Sequence, residues 1–298
     1  MMLGHPDRRA LFRAMLLGVP WFVLCQGCQS AIDPVQWGKD HHYGVDETVP
    51  IKMSRHNFPL VPGKINTKDV NIFFDTGNFF GLQIGPGLAR TLKLKPSGNE
   101  RKNYASDGTY RYSQKGYCVE SLSVFRTAFK NIEMFEMTDD TFEASVGVQD
   151  LGEERFTLDY KNHLMGMSRR PFDEEGIDIN EFPLIGNETL RGMIVIEGQV
   201  NGIETLFQID TGKSRTTIDE GLIVRAGLRE SHSLFQQGYK VDLITLGKKS
   251  FSVECAKVAN FKAISQGYPK PILVGIGADI LSRIVLTVDY AQKKVFIR

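Results

Sequence analysis

Half of this chain repeats the other half. From Gly63 to Gly77 it aligns without a gap to Gly198 through Gly212, placing Lys64-Ile65-Asn66 over Gln199-Val200-Asn201 and Phe74 over Ile209. Both copies of this block end in Asp-Thr-Gly, at Asp75-Thr76-Gly77 and Asp210-Thr211-Gly212. Each tripeptide directly follows a mainly apolar run, Asn71-Ile72-Phe73-Phe74 or Leu206-Phe207-Gln208-Ile209. Beyond the motif, Ile84, Leu88 and Leu94 match Ile218, Leu222 and Leu228 once a single residue is allowed for. Tyr117-Cys118-Val119-Glu120-Ser121-Leu122 then lies over Tyr239-Lys240-Val241-Asp242-Leu243-Ile244, and the register holds to Phe129 over Phe251. The copies close alike, with Val146-Gly147-Val148 over Val274-Gly275-Ile276 and Thr157-Leu158-Asp159-Tyr160 over Thr287-Val288-Asp289-Tyr290. Matched blocks in the same order demand two copies of one architecture, a stronger constraint than any local propensity.

Within each copy the pattern is strand-rich. Stretches such as Val119 to Val124, Leu243 to Leu246 and Ile284 to Val288 alternate with Gly, Asn, Asp and Lys turns. The helical exceptions are short, Gly87 to Leu94 and Asp219 to Gly227, each soon after Asp-Thr-Gly. The expectation is an all-β fold of two similar lobes, residues 56–169 and 192–298. A linker over 170–191, with Pro171, Asp173-Glu174-Glu175-Gly176 and Pro183, joins them. Residues 28–55, containing Pro34, His41, His42, Tyr43 and Gly44, read as a tether. A chain of 298 residues with 42% hydrophobic content is sufficient for two ordinary cores.

Charge and histidine placement exclude several functions. Lys plus Arg number 36 against 35 Asp plus Glu, with no basic stripe interleaved with aromatics, so nucleic acid is not an expected partner. The six His are scattered, without HExxH or a Cys/His cluster at ligand spacing, and no metal centre is expected. The N-terminus reads as an export signal over residues 1–27. Arg8, Arg9 and Arg13 precede an apolar stretch, Ala14 to Leu24, shorter than the roughly 20 residues needed to span a bilayer. Leu24-Cys25-Gln26-Gly27-Cys28 resembles a bacterial lipobox, with Cys28 as the candidate lipid attachment site and Cys25 where a Leu is usual. A periplasmic or cell-envelope protein anchored by lipid or by an uncleaved signal, and an ordinary secreted one, are both compatible with this terminus.

A single Asp-Thr-Gly would say little, because Asp after a strand commonly serves a turn. Two of them, one from each copy, suggest a carboxylate pair. Carboxylates held about 3 Å apart cannot both ionise, so they share one proton and titrate together. The ionised oxygen serves as general base toward water while the protonated partner polarises a carbonyl, and no acyl intermediate forms.

With these motifs each half resembles a retropepsin-like domain of the bacterial aspartyl-protease type. The tandem resembles a single-chain counterpart of the retroviral dimer with pepsin-like two-lobe logic, an acid-protease pseudo-dimer. The likeness includes Gly277-Ala278-Asp279-Ile280-Leu281 and Asp289-Tyr290, of which Gly147-Val148-Gln149-Asp150-Leu151 is a distorted version. It implies an aspartic endopeptidase acting on polypeptide, monomeric and without a cofactor. Asp75 and Asp210 would be its dyad, supported by Thr76, Gly77, Thr211 and Gly212. In the family the Thr hydroxyl cross-bonds to the opposite lobe, and the Gly permits the turn beside the carboxylate. Asn78 and Lys213 stand where the family commonly has Ser, Thr or Ala. An inward Lys213 would favour the ionised dyad, whereas an outward one would only cover apolar surface. The competing reading is a catalytically inactive, exported, two-lobed peptide-binding or scaffold protein.

The copies differ most between Leu94 and Tyr117, a longer interval than Leu228 to Tyr239. Its Tyr104-Ala105-Ser106-Asp107-Gly108-Thr109-Tyr110-Arg111-Tyr112 carries Asp-Gly, a strong hairpin-turn signal. It is expected to form a flap supplied by the first half alone, with Tyr110 and Tyr112 as candidates to reach substrate. Cys118 and Cys255 are not matched by the repeat and are expected to remain separate thiols.

Overall fold

The repeat reappears as two strand ladders in identical register. Pro59–Ile65 pairs with Lys68–Phe74, and Ile194–Val200 with Ile203–Ile209, so that Leu60 faces Phe73 as Val195 faces Gln208. Both turns hold an Asn in the left-handed region, Asn66 at φ 51° and Asn201 at φ 47°, which Asn tolerates better than most residues. Each Asn also anchors a later strand, Asn66 Oδ1 accepting from Ser121 N and Asn201 Oδ1 from Leu243 N. The first strand of each pair accordingly also borders that later strand, with Ile65 opposite Leu122 and Val200 opposite Ile244.

The computed structural model describes residues 33–41, 43, 47–78, 81–104, 108–151, 155–168, 170, 175–180, 193–233, 236–266 and 268–298. The expected signal segment, Cys28, most of the 170–191 linker and the hairpin tip 105–107 lie outside them. The fold is all-β, 56% strand and 11% helix. Among the described residues, one sheet of eight strands draws on residues 52–146, one of seven on residues 194–276, and one of six on segments from both copies.

One part of the sequence alignment is corrected by the ladders. Phe74 runs parallel beside Val146, and Ile209 beside Ile276. Val146 therefore matches Ile276 and Gly147 matches Gly277, two residues away from the sequence alignment. The segment Val274-Gly275-Ile276-Gly277 offers the apolar-Gly pattern twice. A slip of two residues preserves which side chains face inward, so pattern alone does not resolve it.

Apolar residues of the ladders fill the core: Ile72, Phe74, Val146, Phe207, Ile209 and Ile276 are all buried, each contributing about 1.5–3 kcal/mol. The two short helices fall where expected. Pro86–Thr91 starts on a proline, whose missing N–H costs nothing there, and buries Leu88 and Ala89. Glu220–Arg225 is capped by Asp219, which accepts from Gly221 N, and buries Leu222.

In the six-stranded sheet, Arg155–Asp159 crosses Val285–Asp289 antiparallel with Thr157 opposite Thr287. Their hydroxyls are 2.7 Å apart. A residue facing its own equivalent lies on an approximate two-fold axis, as in a symmetric dimer. Asp159 and Asp289 each brace their hairpin turn, accepting from Asn162 N and Gln292 N at 3.0 Å. Their other oxygens differ: Asp159 accepts the Trp37 indole N–H at 3.0 Å, and Asp289 binds the buried guanidinium of Arg155.

That indole belongs to the segment read as a tether, several of whose described residues are instead part of the fold. Pro34–Asp40 is a helix capped by Asp33, and Thr48–Pro50 pairs with Leu164–Gly166. Tyr43 places its hydroxyl 2.5 Å from Thr157 Oγ1. Gly166 makes room for both rings; a Cβ there would stand 2.8 Å from the Tyr43 ring and 2.9 Å from Trp37. Asp33-Pro34 was the available helix-start signal. Within the expected linker, Ile177–Asp178 forms an edge strand against Lys294 and Val295. Cys118 is exposed, Cys255 is buried with its thiol 3.8 Å from Ser231 O, and no disulfide joins them.

Candidate active site

The two motif strands end at the approximate axis. Asp75 N donates to Val146 O at 3.0 Å and Asp210 N to Ile276 O at 3.1 Å, so the neighbouring parallel strand fixes each Asp backbone. Each chain then turns back, Asn78 N and Lys213 N donating to Asp75 O and Asp210 O. The threonines lock the turns crosswise. Thr76 Oγ1 accepts from Thr211 N at 2.9 Å and donates to Ile209 O at 3.0 Å. Thr211 Oγ1 accepts from Thr76 N at 2.9 Å and donates to Phe74 O at 2.7 Å. Both hydroxyls are buried, each donates once and accepts once, and each holds the backbone of the opposite copy.

The glycines bring the carboxyls together. A Cβ on Gly77 would lie 2.4 Å from Asp210 Cγ, and one on Gly212 would lie 2.6 Å from Asp75 Oδ1. Each carboxyl thus rests on the other copy's glycine, a contact no larger residue permits. Gly77 N donates to Asp75 Oδ1 and Gly212 N to Asp210 Oδ1, both at 2.8 Å. The two carboxyls are close enough that each bears on the ionisation of the other. Asp75 is pushed up to about 8, chiefly by burial and then by the neighbouring charge of Asp210, while the Gly77 N–H and Lys213 oppose the shift.

Lys213 faces inward. Its Nζ lies 2.5 Å from Asp210 Oδ2 and 3.4 Å from Gln208 Oε1. The stem crosses Gly275, where a Cβ would stand 2.8 Å from Lys213 Cε, and the ammonium is 6.0 Å from the Phe261 ring centre. Its counterpart behaves differently. Asn78 donates to Gly81 O at 3.0 Å and Ser145 Oγ at 3.4 Å, and Ser145 occupies the position that Gly275 holds in the second copy. The Lys213 loop is itself braced: Thr216 donates from N and Oγ1 to Asp279 Oδ1, both at 2.8 Å, and Ala278 N donates to Lys213 O. The distorted first-copy version differs, with Asp150 accepting from Gly147 N at 2.8 Å.

Three contributors escaped the sequence reading. Gln208 left a signal, a polar residue inside an otherwise apolar motif strand where the first copy has Phe73. Tyr160 lay within a matched block. It is buried, its hydroxyl has no partner among the described residues, and burial followed by the charges of Asp210 and Asp75 pushes it well up. Gly275 gave no separate signal, since its purpose is visible only beside the Lys213 stem.

The expected flap is a hairpin, Lys95–Tyr104 against Tyr110–Val124, longer than its counterpart Arg229–Ser233 against Gln236–Leu246. At its end Gly108, at φ 86°, approaches the other copy: a Cβ there would lie 3.4 Å from the Ala263 methyl. Tyr110 is exposed, stacks edge-on with Tyr104, and its hydroxyl lies 3.3 Å from Ser113. Tyr112 is half-buried opposite Asn103. Among the described residues neither tyrosine bonds to the carboxyl pair. No protein-family model matches this chain, and no curated protein matches it either.

Proposed function

We propose that the protein is an aspartic endopeptidase whose two retropepsin-like lobes form a single-chain pseudo-dimer. The observation that carries this reading is the crosswise threonine lock, which joins two Asp-bearing turns from two copies so that the carboxyl of each rests on the glycine of the other. A peptide-binding surface has no need of it. In this reading Asp210 is the carboxylate that takes a proton from water, and Asp75 carries the proton that polarises the scissile carbonyl. Burial strengthens both interactions by excluding bulk solvent. The long first-copy hairpin, whose end meets Ala263, would cover bound polypeptide. Residues 1–27 would direct export, with Cys28 as a lipid attachment point.

A second reading has one observation in its favour. The Lys213–Asp210 ion pair occupies a carboxylate oxygen that catalysis requires, which suits an inactive peptide-binding protein. Incubating the full-length protein with casein from pH 3 to 8, beside Asp75→Asn and Asp210→Asn, separates the two. Cleavage lost in both variants is expected; a folded parent without cleavage at any pH would transfer the case to the binding protein.

A further inference from the structure

We propose that Lys213 is a positioning residue that makes the two carboxyls unequal, holding Asp210 as the carboxylate so that Asp75 keeps the shared proton. The inference rests on the dyad reading above and assigns its protonation. In a symmetric pair either carboxyl can hold the proton. Here the surroundings differ by a whole charge. Asp210 has an ammonium 2.5 Å from one oxygen and the Gly212 N–H on the other. Asp75 has the Gly77 N–H on Oδ1 and the Asp210 carboxyl beside it, and no ion pair of its own among the described residues. Among the described residues, the charged or titratable groups facing Lys213 and the pair are Asp75, Asp210 and the buried phenol of Tyr160. Gln208, Phe261 and Gly275 supply uncharged walls around the ammonium.

The lysine has a prepared place. Gly275 leaves the slot for its stem, Gln208 puts a carbonyl at its head, and the Ala278 N–H to Lys213 O bond fixes its backbone. In the first copy Phe73, Ser145 and Asn78 hold the positions of Gln208, Gly275 and Lys213. The chemical consequence is a division of labour. One carboxyl is assigned to the base and the other to the acid, and the singly protonated pair persists into more acidic solution than it would without the ammonium.

The test compares the full-length protein with Lys213→Met and Gly275→Ala. The methionine removes the charge and keeps the length; the alanine keeps the charge but pushes the stem from its slot. Casein cleavage at pH 4 relative to pH 6.5 is expected to fall about tenfold or more in Lys213→Met, corresponding to a shift of roughly 1–3 pH units in the acid limb. Gly275→Ala should move the same limb in the same direction by less. A limb unmoved in both variants would overturn the proposal. A readout without turnover keeps it decidable even if casein is never cut: the infrared stretch of a protonated carboxyl at pH 7. Asp150, pushed up to about 6 by burial, adds a minor band of its own, so difference spectra are read: the main band of the parent is expected to be lost in Asp75→Asn. A main band retained in Asp75→Asn and lost in Asp210→Asn would put the proton on the wrong residue and refute the assignment, whatever the fate of the peptidase reading.

Discussion

Replacing Asp75 by Asn should remove a large part of a pH-dependent stability loss, leaving the smaller part that comes from Asp150, pushed up to about 6 by burial. Asn is close to the protonated acid in shape: Oδ1 can still accept from Gly77 N, and Nδ2 can donate toward Asp210 as the acid proton does. With Asp75 at about 8 in the folded protein against 3.8 ordinarily, the folded state holds a proton between these values that the unfolded chain has released. The unfolded state then binds fewer protons, so stability falls as pH rises across that window. Each pH unit is worth at most about 1.4 kcal/mol. Asp75 keeps some solvent contact, so roughly half that figure is the better guide. Between pH 5 and 7 the parent should therefore lose about 1.4 kcal/mol relative to Asp75→Asn, a Tm divergence of about 2–3 °C for a chain of 298 residues. Differential scanning calorimetry at several pH values measures it, independently of any catalytic activity. Parallel Tm curves for parent and variant would refute the raised pKa and the physical argument behind it.

Other perturbations test the scaffold. Thr211→Val keeps the shape but removes both bonds of one hydroxyl, orphaning Phe74 O and Thr76 N; a loss of about 2–4 kcal/mol in denaturant unfolding is expected, with Thr211→Ser recovering most of it. Arg155→Met leaves Asp289 buried without its cation and should cost about 3–5 kcal/mol, whereas adding Asp289→Asn should recover a large part. Trp37→Ala should cost about 3–5 kcal/mol through lost packing against Gly166 and Tyr43, and Trp37→Phe less, since it removes mainly the bond to Asp159. Gly77→Ala should abolish cleavage in the casein assay, because its methyl would occupy the space of the Asp210 carboxyl.

The parts legible in the sequence were those written twice. The repeated Asp-Thr-Gly singled out Asp75, Thr76, Gly77 and their partners, which the fold brings together, and the strand pattern gave the all-β class, because one physical requirement left the same mark at two places. Where the copies diverge the sequence was less informative. Whether Lys213 turned inward depended on Gly275, a residue whose meaning exists only once two distant segments are side by side. The register around Gly147 was ambiguous because strand periodicity is unchanged by a slip of two. Trp37 and Tyr43 belong to no repeat, and nothing local in residues 34–50 announces a docking surface more than a hundred residues away at Asp159 and Thr157.

The unequal filling of the matched positions, Asn78 over Ser145 and Lys213 over Gly275, has a genetic consequence. An assembly of two identical polypeptides writes every substitution on both sides of its axis, so a lysine here would arrive as two ammonium groups facing one carboxyl pair. Joining both copies in one reading frame removes that obligation, and a mutation on one side of the axis becomes a separate event from its mirror image. An inward Lys213 at Asp210 with Asn78 at the mirror position is an arrangement that one sequence used twice cannot encode.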